Sequence, residues 1–144
     1  MWIGHRTLLS PQERVIWGNC VPLTFILPGD TKGLKRHAQE NPDQLWIVKP
    51  TNRHSGQGIR VVNDIENIES KEVAIVQKYI SNPCIIRGHK FDLRLYVLIT
   101  SLDPLKVYLY GDGFARFATK PYDTNPDNLQ DSFMHLTNFE INKV

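Results

Sequence analysis

Cysteine is scarce: the 144-residue chain has two, Cys20 and Cys84, and no C-x-x-C spacing. That excludes a disulfide scaffold and a cysteine zinc cluster, and leaves two reduced thiols as the expectation. Charge of one sign is missing too. Seventeen basic residues face 15 acidic ones, for a net charge of +2, and no Lys/Arg-rich run occurs; such a balance argues against a nucleic-acid partner. No stretch reaches the apolar length of a membrane span. The opening "MWIGHRTLLSPQERVIWG" lacks the continuous apolar core of a signal peptide, so an intracellular protein with no membrane partner is expected. Internal repeats and low-complexity linkers are absent. The five histidines (His5, His37, His54, His89, His135) show no ligand spacing on a common element, and no zinc site is assigned. A G-x-S-x-G elbow and a Walker P-loop are likewise missing.

What is present suits one soluble domain: 41% apolar and 22% charged residues, close to ordinary usage. Residues 1–20 are weakly patterned, although "SPQERVIW" offers a short helix with Ser10 as cap, Pro11 at its first position and Glu13 closing a capping box. "LTFIL" reads as a strand. "TKGLKRHAQENPD" reads as a short polar helix ending before Pro42, with Thr31 as cap. "LWIVK", "GIRVVND" and "VAIVQKYI" follow as strands, with "DIENIESKE" as a polar connection or short helix. "SNPCIIRG" turns the chain into one long strand from Lys90 to Ser101. That strand, "LKVYLYG" and "FARFATK" are joined by the short turns "LDP" and "DG", so an antiparallel meander is expected.

The long strand raises a question of faces. Successive side chains on a strand alternate. Phe91, Leu93, Leu95, Val97 and Ile99 therefore share one face, which reads as core. Lys90, Asp92 and Arg94 share the other, which is either a solvated face with cross-strand ion pairs or the floor of a site holding phosphate, ribose or a metal ion. Arg116 in "FARFA" lies on an adjacent strand and can join that face. In "KPTNRHSGQGI", Gly56 and Gly58 bracket Gln57, and glycines let backbone N–H groups approach an anion; a plain hairpin turn has the same look. Lys49 closes the strand before it and can point its charge at phosphates. "VQKYI" is either a core strand or a strand end whose exposed backbone meets a flat heterocycle.

Taken in order, "WIVKP", "GQGI", "VQKYI", "KFDLRLYVLITSLDPLKVYLY", "GFARFAT", "FMHLTN" and "INK" resemble the tubulin–tyrosine ligase-like family in sequence and approximate spacing, from about Cys20 to Lys143; "PLTFILPGD" is similar as well. The resemblance implies a mixed α/β (α+β) fold of ATP-grasp type with a largely antiparallel central sheet, present here as an incomplete domain over 21–144. It implies an ATP- and Mg2+-dependent ligase that joins glutamate to glutamate side chains of tubulin tails through an acyl phosphate. Lys49 would meet ATP phosphates, and Ser55, Gly56, Gln57, Gly58 and Ile59 would close over them. Gln77, Lys78, Tyr79 and Ile80 would form the adenine contact at the strand edge. Lys90, Phe91 and Asp92 would line the nucleotide floor, and Thr137 and Asn138 would complete the ATP site. Arg94 would lie near the reacting phosphates or the acceptor carboxylate, and Arg116 would hold the carboxylate of the free amino acid. Tubulin or microtubules would be the partner, in the cytoplasmic cytoskeleton and its cilia or basal bodies.

Three features depart from the family pattern. The family's magnesium ligands, an Asp and a Glu-x-Asn pair, lie beyond "HLTN…INK" and are expected outside this chain. Ser55 stands where an Arg or Gln usually meets the acceptor glutamate. Phe139–Glu140 replaces a Tyr-Ser common in glutamate-adding members, and Glu140 would repel an incoming glutamate if it faced the site. A glycine-adding relative and a catalytically inactive nucleotide-binding or microtubule-associated remnant are the alternatives.

Overall fold

Alternation in "WIVKP" and "AIVQK" builds the first sheet. The computed structural model describes residues 21–69 and 71–143; the helix expected around Ser10 and the thiol of Cys20 lie outside them. The chain divides into two compact units. One runs to Thr51 and resumes over Val62–Ile80; the other comprises Asn52–Val61 and the chain from Ser81 onward.

The first unit contains β1 (Thr24–Ile26), α1 (Thr31–Glu40), β2 (Trp46–Pro50) and β4 (Ala74–Lys78), and it receives the end of β3 (Arg60–Val62). The sheet order is β1-β4-β2-β3. Trp46, Val48, Ala74 and Val76 are buried on one face, while Ile47, Lys49, Ile75 and Gln77 are half-buried on the other. The buried face joins Leu27, Leu34, Val62 and Ile68 in a single cluster, which is where hydrophobic burial stabilises this unit. Helix α1 adds Leu34 to that cluster and sets His37 edge-on against Trp46, ring centroids 5.7 Å apart. Thr31 is not its cap. Asp30 occupies the cap position without a side-chain cap bond, because its carboxylate accepts the Ile26 N–H at 2.8 Å instead. The helix ends before Pro42 as expected, with Asn41 Nδ2 donating to the His37 carbonyl at 2.9 Å.

Strand β4 is central rather than an edge. It pairs antiparallel with β1 and with β2, so Gln77 faces Thr24 on one side and Ile47 on the other. Pairing continues past the strand end: Lys78 N–H donates to Leu23 at 2.8 Å and Tyr79 N–H to Leu45 at 2.9 Å. The edge expected at Gln77–Tyr79 is closed by these bonds, and the first residue beyond them is Ile80, which is 57% exposed.

The second unit is built on a ribbon. Strand β5 (Ile85–Ile86) and β6 (His89–Arg94) meet through the two-residue loop Arg87–Gly88, whose φ values are 51° and 83°. Left-handed backbone at both positions is the hairpin turn whose twist matches the strands. Strand β7 (Val97–Leu102) pairs with β8 (Leu105–Leu109), and β6 pairs with β9 (Phe114–Phe117). The expected meander is therefore replaced by two nested pairs. The "GDG" of 111–113 is not a tight turn: Tyr110 N–H bonds Tyr96 O at 2.9 Å, and four residues oppose Leu95–Tyr96 before pairing resumes at Arg94↔Phe114. This irregularity also breaks the single strand expected over Lys90–Ser101. A Cβ at Gly113 would lie 2.5 Å from the Arg94 carbonyl oxygen, so the close approach depends on glycine.

The faces are also reversed from expectation. Leu93, Leu95, Val97 and Ile99 are 64%, 54%, 57% and 54% exposed. The two-stranded β7–β8 ribbon carries apolar residues on both faces, with Leu98 opposite Tyr108 and Ile99 opposite Val107, and both strands are exposed. On β6 it is the polar face that gains a partner from the C-terminal segment, where Thr137, between α2 (Ser132–His135) and α3 (Phe139–Asn142), donates its hydroxyl to Asp92.

Candidate functional site

Within the second unit, strand register sets the central pair. Asp92 on β6 lies directly opposite Arg116 on β9. Arg116 Nε donates to Asp92 Oδ1 at 2.7 Å and Nη2 donates to Oδ2 at 2.5 Å. This two-bond fork is the strong form of an Arg–carboxylate contact. Thr137, buried just after α2, donates its hydroxyl to the same Oδ2 at 2.9 Å. The Arg116 and Thr137 bonds hold the Asp92 carboxyl below the usual carboxylate range, against an opposing effect of burial, and the Asp92 bond raises the Arg116 guanidinium. Both charges therefore persist across the neutral range.

Lys90 and Arg94 flank Asp92 on the same face of β6. The Lys90 ammonium lies 5.9 Å from the centre of the Tyr122 ring, and the Arg94 guanidinium 6.0 Å from that of Tyr96. Phe91 points the other way and stacks on Phe117, ring centroids 5.7 Å apart. The structure thus separates Phe91 from the face that carries Lys90 and Asp92.

The glycine-rich loop belongs to this unit. Ser55, Gly56 and Gly58 all have left-handed backbone, at φ 56°, 88° and 73°. Gln57 N–H bonds His54 O at 3.0 Å, and Ile59 N–H bonds Gly56 O at 3.2 Å. A Cβ on Gly56 would stand 2.8 Å from Ile141 Cδ1 and 2.9 Å from Asn138 Cγ. The loop therefore seats on Asn138 and α3, and the room that glycine leaves is filled by this chain's own side chains. Phe139 is 68% exposed. Glu140 pairs with Lys143 one helical turn later.

Lys49, Gln77, Lys78, Tyr79 and Ile80 lie in the first unit. Lys49 Nζ donates to Gln77 Oε1 at 2.8 Å, and Gln77 Nε2 donates to Thr24 Oγ1 at 2.8 Å. Burial lowers the Lys49 pKa from the usual lysine value. Lys78 is exposed and the Tyr79 side chain is buried.

Sequence reasoning passed over His135, which is 2% exposed. Its Nε2 lies 3.1 Å from the Asn128 carbonyl, so this nitrogen carries the proton and donates. Tyr122 sits edge-on to its ring at 5.6 Å. Burial lowers its pKa. A four-residue helix has too little periodicity to mark a histidine as core. Asn142 was also passed over: its side-chain oxygen accepts from Thr119 N–H and Oγ1 at 2.9 and 3.0 Å, and its amide donates to Leu136 O at 2.8 Å.

Within the second unit, Lys90 and Arg94 beside the Asp92–Arg116 pair form a donor set that suits a polyanion. It does not suit Mg2+. Among the described residues no group of three or more His, Cys, Asp or Glu side chains gathers to hold a metal ion, and both oxygens of Asp92 are engaged. Among them, too, no helix is long and apolar enough to cross a membrane.

A model of the tubulin-tyrosine ligase family matches residues 6–144. The chain is 43% identical over 122 residues to the tubulin monoglutamylase TTLL4 of Mus musculus, covering 85% of this chain and 10% of that protein. It is 44% identical over 123 residues to the human tubulin polyglutamylase TTLL5, with the same coverage of 85% and 10%. It is 39% identical over 138 residues to the probable alpha-tubulin polyglutamylase Ttll1 of Tetrahymena thermophila, covering 85% of this chain and 33% of that protein. The chain thus spans a tenth to a third of the length of these relatives. It belongs to the tubulin-tyrosine ligase family, and its mixed α/β, largely antiparallel build is part of that family's ATP-grasp-like fold.

Proposed function

We propose that this chain forms part of an ATP-dependent ligase that adds glutamate to glutamate side chains of tubulin tails on cytoplasmic microtubules, including those of cilia and basal bodies. The observation that carries the reading is the Asp92–Arg116 pair. A guanidinium has five N–H donors, and the fork to Asp92 uses two of them. The remaining edge suits the carboxylate of a free amino acid. The names of the relatives, monoglutamylase and polyglutamylase acting on tubulin, support glutamate as that amino acid.

ATP, when bound, supplies the phosphoryl group that turns a tail carboxylate into an acyl donor. The residues of this chain then contribute positioning and charge rather than a nucleophile. Lys49, with its ammonium on the Gln77 amide, and Lys90 and Arg94 on β6 balance phosphate charge. The loop Ser55–Ile59 covers the phosphates, Ser55 with less reach toward an acceptor carboxylate than an arginine has. Gln77 and Lys78 line the adenine side with side chains rather than backbone, since their backbone is paired within the sheet; backbone contact begins at Ile80. Glu140 is compatible with glutamate as substrate, because Lys143 neutralises it.

The test is incorporation of labelled glutamate into tubulin, with ATP and magnesium, by the ligase of which this chain forms part. Arg116→Ala is expected to reduce incorporation by about a hundredfold or more, the scale of losing a positioned charge contact in a site. Incorporation of glycine in preference to glutamate, or wild-type incorporation by Arg116→Ala, would refute the reading.

A further inference from the structure

We infer that Thr24 is a positioning residue for Lys49: it sets which way the side-chain amide of Gln77 faces, and through that amide it holds the Lys49 ammonium ready for the phosphates of a nucleotide. The inference rests on the reading that Lys49 meets those phosphates, and it brings a residue of β1 into that reading.

The geometry carries it, and every part of it lies within the first unit. The three side chains cross three adjacent strands, in the order β1-β4-β2. Thr24 is the direct cross-strand partner of Gln77, and on the other side Gln77 lies opposite Ile47, two residues before Lys49. Lys49 is thus the diagonal neighbour of Gln77 on one face of the sheet, within reach of a long side chain. Three bonds join the set. Lys49 Nζ donates to Gln77 Oε1, Gln77 Nε2 donates to Thr24 Oγ1, and Thr24 Oγ1 donates to the Pro22 carbonyl, each at 2.8 Å.

The direction of this chain of bonds is fixed at both ends. An ammonium only donates, so it requires the oxygen of the amide. A threonine hydroxyl has one proton, and here the Pro22 carbonyl takes it. Toward Gln77 the hydroxyl can then only accept, so it requires the nitrogen of the amide. One orientation of Gln77 meets both demands; the reversed amide would set its N–H groups against the ammonium. The Pro22 end is itself tied to β4, because Lys78 N–H donates to the carbonyl of Leu23, between Pro22 and Thr24, at 2.8 Å.

A held acceptor matters at Lys49 for two reasons. Burial lowers the pKa of this lysine, so an oxygen fixed on the ammonium helps to keep the charge that phosphates need. A lysine side chain also loses considerable rotamer freedom when it is ordered; one already held loses less on binding, and the difference appears as affinity. The arrangement does not close the site. The bond to Gln77 takes one of three ammonium donors, and the bond to Thr24 takes one of two amide N–H groups, so both Lys49 and Gln77 keep donors for the nucleotide.

The experiment is calorimetric titration of ATP, with magnesium, into the ligase of which this chain forms part. Thr24→Val is expected to raise the ATP Kd about fivefold, the scale of one hydrogen bond. Thr24→Ser, which keeps the hydroxyl, is expected to stay within about twofold of wild type. In a Gln77→Leu background the link to Lys49 is gone, so adding Thr24→Val should change the ATP Kd by less than about twofold. Equal ATP affinity for Thr24→Val and Thr24→Ser overturns the inference, as does a full fivefold loss from Thr24→Val in the Gln77→Leu background. If Thr24→Val does not fold, Thr24→Ala takes its place on the same terms. The parent reading fails by a different sign, namely a Lys49→Met ligase that binds ATP as well as wild type.

Discussion

Gly56 carries two constraints in one residue. Its φ of 88° is a conformation that L side chains rarely adopt, and a Cβ would meet Ile141 at 2.8 Å and Asn138 at 2.9 Å. Gly56→Ala should therefore cost about 1–3 kcal/mol, the range for strained backbone and for overpacking. The cost should fall on the seating of the loop, so trypsin should cut faster at the exposed Arg53. Asn138→Ala in the same chain should recover part of the loss; unchanged cleavage in Gly56→Ala would show that the loop does not depend on this seat. His135 makes a second residue-scale prediction. Its folded pKa is lowered by burial, so as pH falls through the ordinary imidazole value of about 6.5 the unfolded chain takes up a proton before the folded one does. The stability that neutral His135 contributes is present above that pH and is lost as pH falls toward the folded pKa. Melting temperature should drop between pH 7 and pH 5, and His135→Gln, which keeps an N–H donor for the Asn128 carbonyl, should flatten that drop. Equal slopes in the two proteins would remove His135 as the cause.

At the scale of elements, the nested ribbon turns on Gly113. With the Arg94 carbonyl oxygen 2.5 Å from a would-be Cβ, the neighbour that must yield is backbone on β6, two residues from Asp92. Gly113→Ala should lower the urea midpoint by the equivalent of about 1–3 kcal/mol. It should also weaken the Asp92–Arg116 pair by disturbing Arg94↔Phe114, measurable as a loss of amino-acid affinity; a lower midpoint with unchanged affinity would separate the two effects. The same glycine explains what sequence could and could not convey. Strand existence was legible wherever local pattern decides it, as in "WIVKP", "AIVQK" and the polar face of "KFDLR", because period-2 alternation is a property of neighbours. Pairing was not. "DG" between two apolar runs has the composition of a hairpin turn, and only the tertiary register shows that it is absorbed as extra residues within one arm of the ribbon. Alternation likewise cannot tell which face is covered, so Leu93 and Ile99 looked like core. The central position of β4 was hidden for the same reason: β1 reaches it across about fifty residues. Of the candidate site, Asp92 and Arg116 were legible as residues sharing a face. Thr137 joining them, and Gly56 seating on Asn138, depend on contacts between segments far apart in the chain.

For the molecule as a whole, the distribution of apolar surface is uneven. Among the described residues, the first unit gathers eight buried side chains into one cluster around Trp46, Val48 and Val76. In the second, Leu98, Leu102, Leu105, Tyr108 and Leu109 on β7–β8 are 63%, 82%, 65%, 57% and 66% exposed. A lone two-stranded ribbon is marginal in water unless something packs on it, and contiguous apolar surface of this kind favours association. Among the described residues the outer edges of the ribbon have no strand partner, and such edges can template pairing with another chain. The chain in dilute buffer should therefore bind a hydrophobic dye and sediment as a concentration-dependent mixture. Leu98 and Tyr108 are directly opposite each other, so Leu98→Glu with Tyr108→Lys places opposite charges across the pair and keeps a favourable cross-strand contact. That double variant should reduce dye binding and shift sedimentation toward the monomer. It should leave the unfolding of the first unit, followed through protection of the Val48 and Val76 amides, unchanged, because neither residue belongs to that unit's cluster. Unchanged sedimentation would place the associating surface elsewhere than on this ribbon. A fall in protection of those two amides would instead mean that the first unit draws part of its stability from the ribbon.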